Sequence, residues 1–340
     1  MSDSSRRFAG SMLAGGGVLA LLAFWSLSYG MIELSFTNVI EILLGIQETS
    51  EYDLLIYDFR LPRLIIAALA GAGLAIAGCL FQGVSRNGLA DPGLLGVNSG
   101  AGLAIVIFMF FYQGTFTGTD WSAVMVMPFF GLLGGLGSSA AIYLFSWKNN
   151  RLDPQRFLIT GIAMASGFTA LTLFFTLKMN PADFQAAMVW SLGSLQQANW
   201  QYIASVLPWF LLILPVAFQK SRILDLFQLE ESTVKSLGIS VGKEQAILLL
   251  SASALVSACV AVSGSIGFIG LIIPHIAKRL VGVHHEYVLP FAGLLGMIFL
   301  VAADFIAKNV FAPAELAVGI VISLLGVPYF IYLLANSRTD

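Results

Sequence analysis

Apolar segments of membrane-spanning length recur along nearly the whole chain, and this recurrence constrains the fold more than any other feature. A hydrocarbon core about 30 Å thick needs roughly 20 apolar residues per helix. Ten segments of about that length can be placed, with short loops between them. They cover residues 11–30, 63–83, 94–112, 122–146, 157–177, 200–218, 245–263, 265–282, 288–307 and 315–335. The pattern predicts an all-α, polytopic membrane protein with about ten transmembrane helices.

The composition fits one membrane-embedded domain. Of the 340 residues, 58% are hydrophobic and only 11% are charged, and the mean hydropathy is +0.86. Such a chain has too little polar surface to cover a water-soluble globule of this size. No charge run or low-complexity segment marks a linker, so residues 1–340 are expected to form a single transmembrane domain. Cys79 and Cys259 lie in separate predicted spans and define no disulfide framework.

Basic residues predict which span ends face the cytoplasm, because Lys and Arg are enriched on that side. With the N-terminus inside, thirteen basic residues fall in inside segments and four fall outside, namely Arg60, Arg63, Lys178 and Lys308. The opening SSRRFAG loosely resembles a twin-arginine signal, but no convincing cleavage site follows, so a retained first helix is expected. The external segment 31–59 is acidic, and its FTNVIEILLGI stretch predicts a short amphipathic helix on the outer surface.

Three short motifs resemble known sites but lack residues that the chemistry needs. GISVGKE at 238–244 has three residues between its glycines instead of four, and Glu244 replaces the hydroxyl that would hold magnesium, so no nucleotide site is predicted. The histidines at 275, 284 and 285 have no cysteine or paired carboxylate at ligand spacing, and a cytoplasmic interface role is favoured. GLGSSA at 135–140 lies within an apolar span, where small-residue helix packing explains it better than dinucleotide binding.

Ionisable residues are scarce near and inside the spans, and this scarcity bears on the energy source. Asp304 and Glu315 are the main candidates, and Lys308 lies four residues after Asp304, so that the two could pair on one helix face. An ion-coupled secondary transporter normally needs more embedded carboxylates or paired broken helices. The spans also contain no paired carboxylates, metal-ligand spacing or Ser–His set. An outside energy source is therefore favoured over ion coupling, and a transporter over an intramembrane enzyme.

Three longer patterns carry a family resemblance. The first runs from Arg60 to Ala104 as RLPRLIIAALAGAGLAIAGCLFQGVSRNGLADPGLLGVNSGAGLA, and the second is LEESTVKSLGISVGKE at 229–244. The third begins as SGSIGFIGLIIPHIAKRL at 263–280 and continues through DFIAK and AELAVGIVISLLGVPYFIYLL. In this order and spacing they strongly resemble the permease subunits of ABC importers for iron(III) siderophores, haem and cobalamin. The resemblance covers about residues 20–335.

The resemblance implies a ten-helix permease in the bacterial cytoplasmic (inner) membrane, with its N- and C-termini in the cytoplasm. The implied partners are a second permease copy or paralogue, two cytoplasmic ABC ATPase subunits, an extracytoplasmic substrate-binding protein and membrane lipid, with no nucleic acid. The chain itself is expected to bind no cofactor and no metal, because the partner ATPase uses the ATP. The expected cargo is an iron(III)–siderophore complex, and import of haem or cobalamin is the alternative within the family.

The resemblance also nominates residues of a translocation pathway. RNGLADPGLLG breaks the chain between spans two and three, and irregular backbone at that depth is tolerated only under protein or beside a water-filled cavity. In the family the matching turn narrows the inner mouth of the pathway, which nominates Asn87 and Leu89 as gate residues. The loop DPQR at 153–156 matches a second constriction, and a low-charge strip follows in span five, where packing is the alternative role. The residues nominated there are Pro154, Gln155, Thr160, Gly161 and Met164.

Two docking surfaces follow from the same resemblance. The cytoplasmic segment 220–244 is predicted to form two short helices around a turn at Gly238 and to dock in a cleft of the ATPase, with a merely solvated loop as the alternative. The residues nominated for that contact are Leu229, Glu230, Leu237 and Gly238. Arg60, Arg63 and Lys308 lie at outer span ends, where basic residues are depleted. They are expected to receive acidic residues of the binding protein; the alternatives are snorkelling to lipid headgroups and, for Lys308, pairing within its own helix.

The stretch 263–280 is unusually punctuated for a membrane span. SGSIGFIG predicts a tight, glycine-kinked reversal between spans seven and eight. IPHIAKR places a proline near the inner end, with Lys278 and Arg279 at the lipid headgroups or the ATPase surface. We interpret this stretch as serving packing and coupling, with no catalytic role.

Overall fold

The structure is a computed structural model that describes residues 3–336, apart from residues 31, 33, 47–49, 94, 113–120, 149–150 and 311. The described chain is almost entirely helical. Its α-helices are α1 (Asp3–Ser28), α2 (Phe36–Leu43), α3 (Ser50–Asp53), α4 (Leu61–Ser85), α5 (Val97–Tyr112), α6 (Trp121–Ser146), α7 (Pro154–Leu177), α8 (Pro181–Ser191), α9 (Trp200–Gln219), α10 (Ser221–Leu226), α11 (Glu231–Ser236), α12 (Val241–Ser263), α13 (Ile269–Val281), α14 (His285–Asn309) and α15 (Val318–Asn336). A π-helical segment, Leu54–Arg60, leads into α4. Strands β1 (Trp147–Lys148) and β2 (Arg151–Leu152) pair antiparallel between α6 and α7.

Ten of these helices coincide with the ten predicted spans. They are α1, α4, α5, α6, α7, α9, α12, α13, α14 and α15. Among the described residues, seven of them are long and apolar enough to cross a membrane, if the π-helical segment is counted with α4. Helices α5 and α15 contribute shorter apolar stretches, and α13 has 13 residues. The prediction of an all-α, polytopic membrane protein is confirmed.

Helix α4 lies at the centre of the packing, between α14 and α12. In its most apolar window 78% of the residues are buried, as in α12, against 56% in α14. The α4 and α14 backbones touch, because a Cβ on Gly71 would overlap the carbonyl of Gly296 and a Cβ on Gly296 would overlap that of Gly71. Small residues permit such close approach between helices in lipid. These two glycines therefore bring α4 and α14 together as one tightly packed pair.

Helix α2 lies at the surface beside α1 and the π-helical segment. Ser35 is its N-cap, and the Ser35 Oγ accepts a hydrogen bond from the Asn38 backbone N at 3.4 Å. Val39 and Ile42 are buried against a small apolar cluster, while the opposite side of the helix is exposed. This is the short amphipathic surface helix that the FTNVIEILLGI stretch predicts.

The predicted reversal after span seven is present at residues 264–268, between α12 and α13. A Cβ on Gly264 would overlap the carbonyl of Trp190 at the end of α8, so the reversal packs directly against a second backbone. Lys278 and Arg279 lie in the last turn of α13, where positive charges interact favourably with the negative end of the helix dipole. Gly264 thus serves packing, as does Gly270, whose backbone touches Gly78 of α4, whereas nothing lies within 4 Å of a Cβ on Gly267.

The DPQR segment does not form the predicted loop before span five. Asp153 is the N-cap of α7, and its Oδ1 accepts hydrogen bonds from the backbone N of Gln155 at 3.0 Å and of Arg156 at 3.2 Å. Pro154 is the first helical residue, a position where its missing N–H costs nothing. Aspartate followed by proline is a helix-start pattern, so Pro154 and Gln155 lie in the first turn of α7.

Candidate docking, gating and coupling sites

An ion network joins the start of α4 to the end of α14 and to the connection that follows it. Arg63 donates from Nε to both carboxylate oxygens of Asp304 at 3.0 and 3.1 Å, and its Nη2 lies 2.9 Å from Asp304 Oδ1. Its Nη1 donates to Glu315 Oε2 at 2.9 Å. The bidentate partner of Asp304 is thus Arg63, which corrects the pairing with Lys308 that i, i+4 spacing allowed. The planar guanidinium fork matches a carboxylate better than a lysine ammonium does.

The other two predicted docking residues lie close to this network. Lys308 Nζ donates to the backbone oxygen and to the Oγ of Ser26 at 2.7 and 2.8 Å. Arg60 donates to three backbone carbonyls at the end of α1 and just after it, those of Leu27, Ser28 and Ile32. Both side chains therefore hold the end of α1 against α4 and α14, and both already have internal acceptors.

All three basic residues line one cavity of about 640 Å³, here called the basic cavity. Its polar lining includes Ser26, Arg60, Arg63, Gln196, Lys308 and Glu315. Three cationic side chains face one lining carboxylate, and Asp304 adds a second carboxylate behind Arg63. The cavity therefore favours an anionic group, although its own carboxylates neutralise part of the positive charge.

The predicted inner gate is an irregular turn between α4 and α5. The Asn87 side-chain Oδ1 accepts a hydrogen bond from the Leu89 backbone N at 2.9 Å, an Asx-type turn that replaces helical pairing. The Leu89 side chain is 37% exposed. Deeper in the turn, Gly93 N donates to the buried Asp91 carboxylate at 3.0 Å. The turn thus presents Leu89 outwards on a backbone fixed by its own side chains.

Helix α7 packs against this turn through Gly161. A Cβ on Gly161 would lie 3.1 Å from the Cα of Leu95, which is tighter than an ordinary contact, so Gly161 serves packing. Thr160 and Met164 are half-buried and Gln155 is exposed. The side chain of Pro154 lies outside the part of the chain that the structure describes. The structure therefore brings the predicted gate turn and the predicted strip on α7 into contact.

A second cavity, which no sequence pattern predicted, lies beside the 264–268 reversal and is here called the serine-lined cavity. It measures about 530 Å³, and its polar side chains are Ser191, Ser265 and Ser323. The first turn of α15 closes one side, where Gly319 N donates to the Gly193 carbonyl at 3.2 Å. Hydroxyls offer weak donors and acceptors without a fixed charge. The available signal was SGSIG, which contains Ser265, since irregular backbone within a membrane is tolerated only where protein covers it or where it lines a cavity.

The predicted coupling segment carries α10 and α11 between α9 and α12. Both helices precede Gly238, so the expectation of one helix on each side of that turn is wrong. Gly238 instead separates α11 from α12, with φ +80°, a left-handed conformation that glycine adopts without strain. Leu229 and Leu237 are 45% and 58% exposed, and Glu230 is exposed. The four nominated residues therefore lie on one open segment.

Two side-chain contacts fix this segment to the helical core. Lys220 Nζ lies 2.7 Å from Glu244 Oε2 and so closes the segment at its base. Asp225 Oδ1 accepts a hydrogen bond from the backbone N of His285 at 2.9 Å and lies 2.6 Å from His285 Nδ1. A carboxylate at that place satisfies an unpaired N–H at the start of α14. Asp225 was missed because its partner lies 60 residues away.

Comparison with known proteins identifies the family. The FecCD transport family matches residues 18–336 of the chain. The chain belongs to the FecCD transport family. Over 321 residues it is 50% identical to the iron-uptake system permease protein FeuC of Bacillus subtilis, covering 94% of this chain and 96% of FeuC. It is 42% identical to the iron(3+)-hydroxamate import system permease protein FhuG of the same organism, covering 94% of this chain and 95% of FhuG.

A solved structure with a similar fold supports the assignment of the chain to this family. It is described as an inward-facing conformation of a metal-chelate type ABC transporter, with 30% sequence identity and a TM-score of 0.81. The match covers 98% of this chain and 99% of the other. This FecCD protein is therefore an ABC permease and a multi-pass inner-membrane protein. It is a transport subunit and not an enzyme, since ATP hydrolysis belongs to a separate ATPase subunit.

Proposed function

We propose that this permease moves an iron(III)–siderophore complex across the cytoplasmic membrane in an ATP-driven ABC importer. The 50% identity to the iron-uptake permease FeuC, over 94% of the chain, is the observation that carries this proposal. The hydroxamate-system permease FhuG adds a second relative named for an iron(III) chelate. Iron enters as cargo inside its chelate. Within the described ranges of the chain, no group of three His, Cys, Asp or Glu side chains could hold a metal ion.

The assembly in this proposal has a second permease copy or paralogue, two cytoplasmic ABC ATPases and an extracytoplasmic substrate-binding protein. An uncovered helix supports the permease partner: only 11% of the apolar window of α7 is buried. Ile159, Ile162 and Phe174 on α7 are 69%, 56% and 55% exposed. The gate turn with Asn87 and Leu89, and the start of α7, would narrow the inner end of the pathway between the two permeases.

The orientation in this proposal places both chain termini and the 220–244 segment in the cytoplasm. Thirteen of the seventeen basic residues then lie on the inner side, as lysine and arginine do in membrane proteins generally. The basic cavity lies at the start of α4 and the end of α14, away from the 220–244 segment. There it would receive acidic side chains of the binding protein. Charge pairs at such a rim act mainly on association rate and salt dependence.

Uptake by the reconstituted complex tests the transport function directly. Proteoliposomes would contain the permease, its permease partner and the ATPases, with the binding protein and a radiolabelled iron(III)–siderophore complex outside. The expected result is uptake that needs ATP inside the vesicles and stops when the binding protein is omitted. Uptake driven by a proton or sodium gradient without ATP would contradict the proposal and favour an ion-coupled carrier.

Substitution of Gly238 by proline tests the coupling segment. Proline fixes φ at about −65° and has no backbone N–H. Gly238 has φ +80°, and its backbone N donates to the Lys235 carbonyl at 2.9 Å. We expect Gly238→Pro to lower binding-protein-stimulated ATP hydrolysis about tenfold, which corresponds to an activation free energy raised by ~1.4 kcal/mol. Gly45→Pro is the matched control, because Gly45 has φ +67° and donates to the Ile42 carbonyl three residues earlier at 3.0 Å, at the end of α2 and outside the segment. Equal losses in both variants would point to general strain.

A further inference from the structure

The two carboxylates that bind Arg63 are held very differently. Asp304 is 3% exposed and accepts from Arg63 through both oxygens, so that it is a fixed part of the helix pair. Glu315 is 25% exposed and accepts through one oxygen only. It lies on the connection between α14 and α15, outside any helix. Of the two contacts, the one to Glu315 can be exchanged for another carboxylate without unpacking a helix.

Glu315 also occupies the position that an incoming anion would need. It lines the basic cavity with Arg60, Arg63 and Lys308, and it takes the Nη1 donor of Arg63. The cavity volume of 640 Å³ leaves space for a side chain from another protein. A carboxylate entering this cavity meets three cations. Arg60 and Lys308 donate to backbone and hydroxyl oxygens, and Arg63 is already paired with Asp304 and Glu315.

The connection that carries Glu315 leads directly to α15, which lines the serine-lined cavity. Leu316 N donates to the Ala307 carbonyl at 3.1 Å, which anchors the connection to the last turns of α14. Three residues further on, Gly319 N donates to the Gly193 carbonyl, and α15 then forms one wall of the serine-lined cavity. Only residues 316–317 separate Glu315 from α15, so a displacement of Glu315 would pull on the Leu316 anchor and, through it, on the first turn of α15.

We propose that Glu315 is a placeholder carboxylate, which an acidic side chain of the substrate-binding protein displaces from Arg63 when that protein docks. Displacement exchanges one ion pair for another, so the network around Asp304 is kept while the connection before α15 is released. Docking on the outer side thereby alters the position of α15, which forms one wall of the serine-lined cavity. This inference rests on the docking role proposed above for Arg60, Arg63 and Lys308.

Docking kinetics over a range of ionic strength test the placeholder. The assembled transporter would be held in nanodiscs, and the probe is the binding protein that stimulates its ATP hydrolysis. We expect Glu315→Gln to raise the association rate about fivefold at low salt, with the gain shrinking at high salt. We also expect basal ATP hydrolysis to rise toward the stimulated level, because the connection is already free. If the Arg63–Glu315 ion pair is merely structural, Glu315→Gln will change thermal stability but neither the association rate nor basal ATP hydrolysis.

Two further variants separate this inference from the docking proposal. Lys308→Glu reverses a cavity charge and is expected to slow docking. Glu244→Gln is the matched control for docking kinetics alone, since it removes a half-buried carboxylate from Lys220, away from the basic cavity, but lies in the coupling segment; it should leave the association rate unchanged. If Lys308→Glu slows docking while Glu315→Gln does not accelerate it, the surface stands and the placeholder is overturned. If neither variant changes docking, the docking surface itself falls and takes the inference with it.

Glu315→Asp keeps the test decisive if the glutamine variant fails to assemble. Aspartate keeps the negative charge but is one methylene shorter and cannot make the present 2.9 Å contact with Arg63 Nη1 without movement of the connection. The expected result is raised basal ATP hydrolysis with wild-type thermal stability. Basal hydrolysis equal to wild type in the aspartate variant would overturn the proposed release of α15.

Discussion

Helices α4 and α7 are nearly equal in length, with 25 and 24 residues, and both are apolar, yet they have opposite surroundings. In their apolar windows 78% of α4 is buried but only 11% of α7. The α4 backbone touches α14 at Gly71, whereas Gly167 of α7 has no atom near the place of a Cβ. Hydropathy thus identifies a membrane helix without indicating whether protein, lipid or a pathway covers it.

A second exposed helix helps to interpret α7. In α1 none of the apolar window is buried, and residues 12–25 carry no hydroxyl or charged side chain, as suits a helix facing lipid. Helix α7 carries exposed Ser166 and Thr169, whose hydroxyls donate to the carbonyls four residues earlier at 3.0 and 2.8 Å. We therefore interpret α4 and α14 as the fixed frame of the permease, and α7 as the helix that faces its permease partner and the pathway.

The substitution Gly71→Val should have the largest effect, because it disrupts the contact between α4 and α14. The valine Cβ would overlap the Gly296 carbonyl, and neither backbone can move away without separating α4 from α14. We expect Gly71→Val to cost about 3 kcal/mol or more of folding free energy, in the range of severe overpacking. The measurement is the yield of monodisperse protein in detergent and its melting temperature.

Gly167→Val is the matched control on α7. Nothing lies within 4 Å of the position of its Cβ, so the folding free energy of the isolated permease should change by no more than about 0.5 kcal/mol. Wild-type yield and melting temperature in the Gly71→Val protein would refute the close backbone contact between α4 and α14.

Disulfide cross-links should have the next largest effect and test movement instead of folding. One pair, Leu95→Cys with Gly161→Cys, joins the gate turn to α7, where a Cβ on Gly161 would lie 3.1 Å from the Leu95 Cα. A second pair, Ile76→Cys with Gly293→Cys, joins α4 to α14, where a Cβ on Gly293 would lie 3.6 Å from Ile76 Cγ1. Each approach brings the two positions into contact, and oxidation shows whether their Cβ atoms reach the separation of about 3.8 Å that a disulfide needs.

Oxidation should lower iron(III)–chelate uptake about tenfold in the gate pair, because gating needs the turn and α7 to separate. It should leave uptake nearly unchanged in the frame pair, because α4 and α14 move together. Both pairs require a background in which Cys79 and Cys259 are replaced by alanine, and uptake after reduction serves as the internal control for each. Equal inhibition of both pairs would abolish the distinction between frame and moving helix.

The sequence predicted elements whose causes are local and missed contacts whose causes are distant. Apolar length located the ten spans, and the Ser35-capped surface helix followed from its own amphipathic pattern. Asp153 and Pro154 carried a helix-start pattern that the family-based interpretation as a loop overrode. The Arg63–Asp304 pair joins residues 241 positions apart, and no local period could select it over the i, i+4 neighbour. Likewise, the internal hydrogen-bond partners of Arg60 and Lys308, the other two predicted docking residues, depend on helix packing that only the fold defines.

The smallest expected effect concerns the hydroxyls on the exposed face of α7. Thr169 Oγ1 already donates to the Ala165 carbonyl, so its remaining capacity is to accept a hydrogen bond from outside the helix. Thr169→Val keeps the shape and removes that acceptor. If the face lines a hydrated pathway, the initial uptake rate should fall roughly twofold, as expected for loss of ~0.5 kcal/mol, while the melting temperature stays the same.

Thr172→Val is the control, because the Thr172 hydroxyl makes the same kind of hydrogen bond, to the Phe168 carbonyl, but Thr172 is half-buried. The uptake rate of the Thr172→Val protein should therefore not change. If instead the Thr169→Val protein is more stable and transports normally, this face is covered by lipid, as in α1, and α7 loses its assigned place at the pathway.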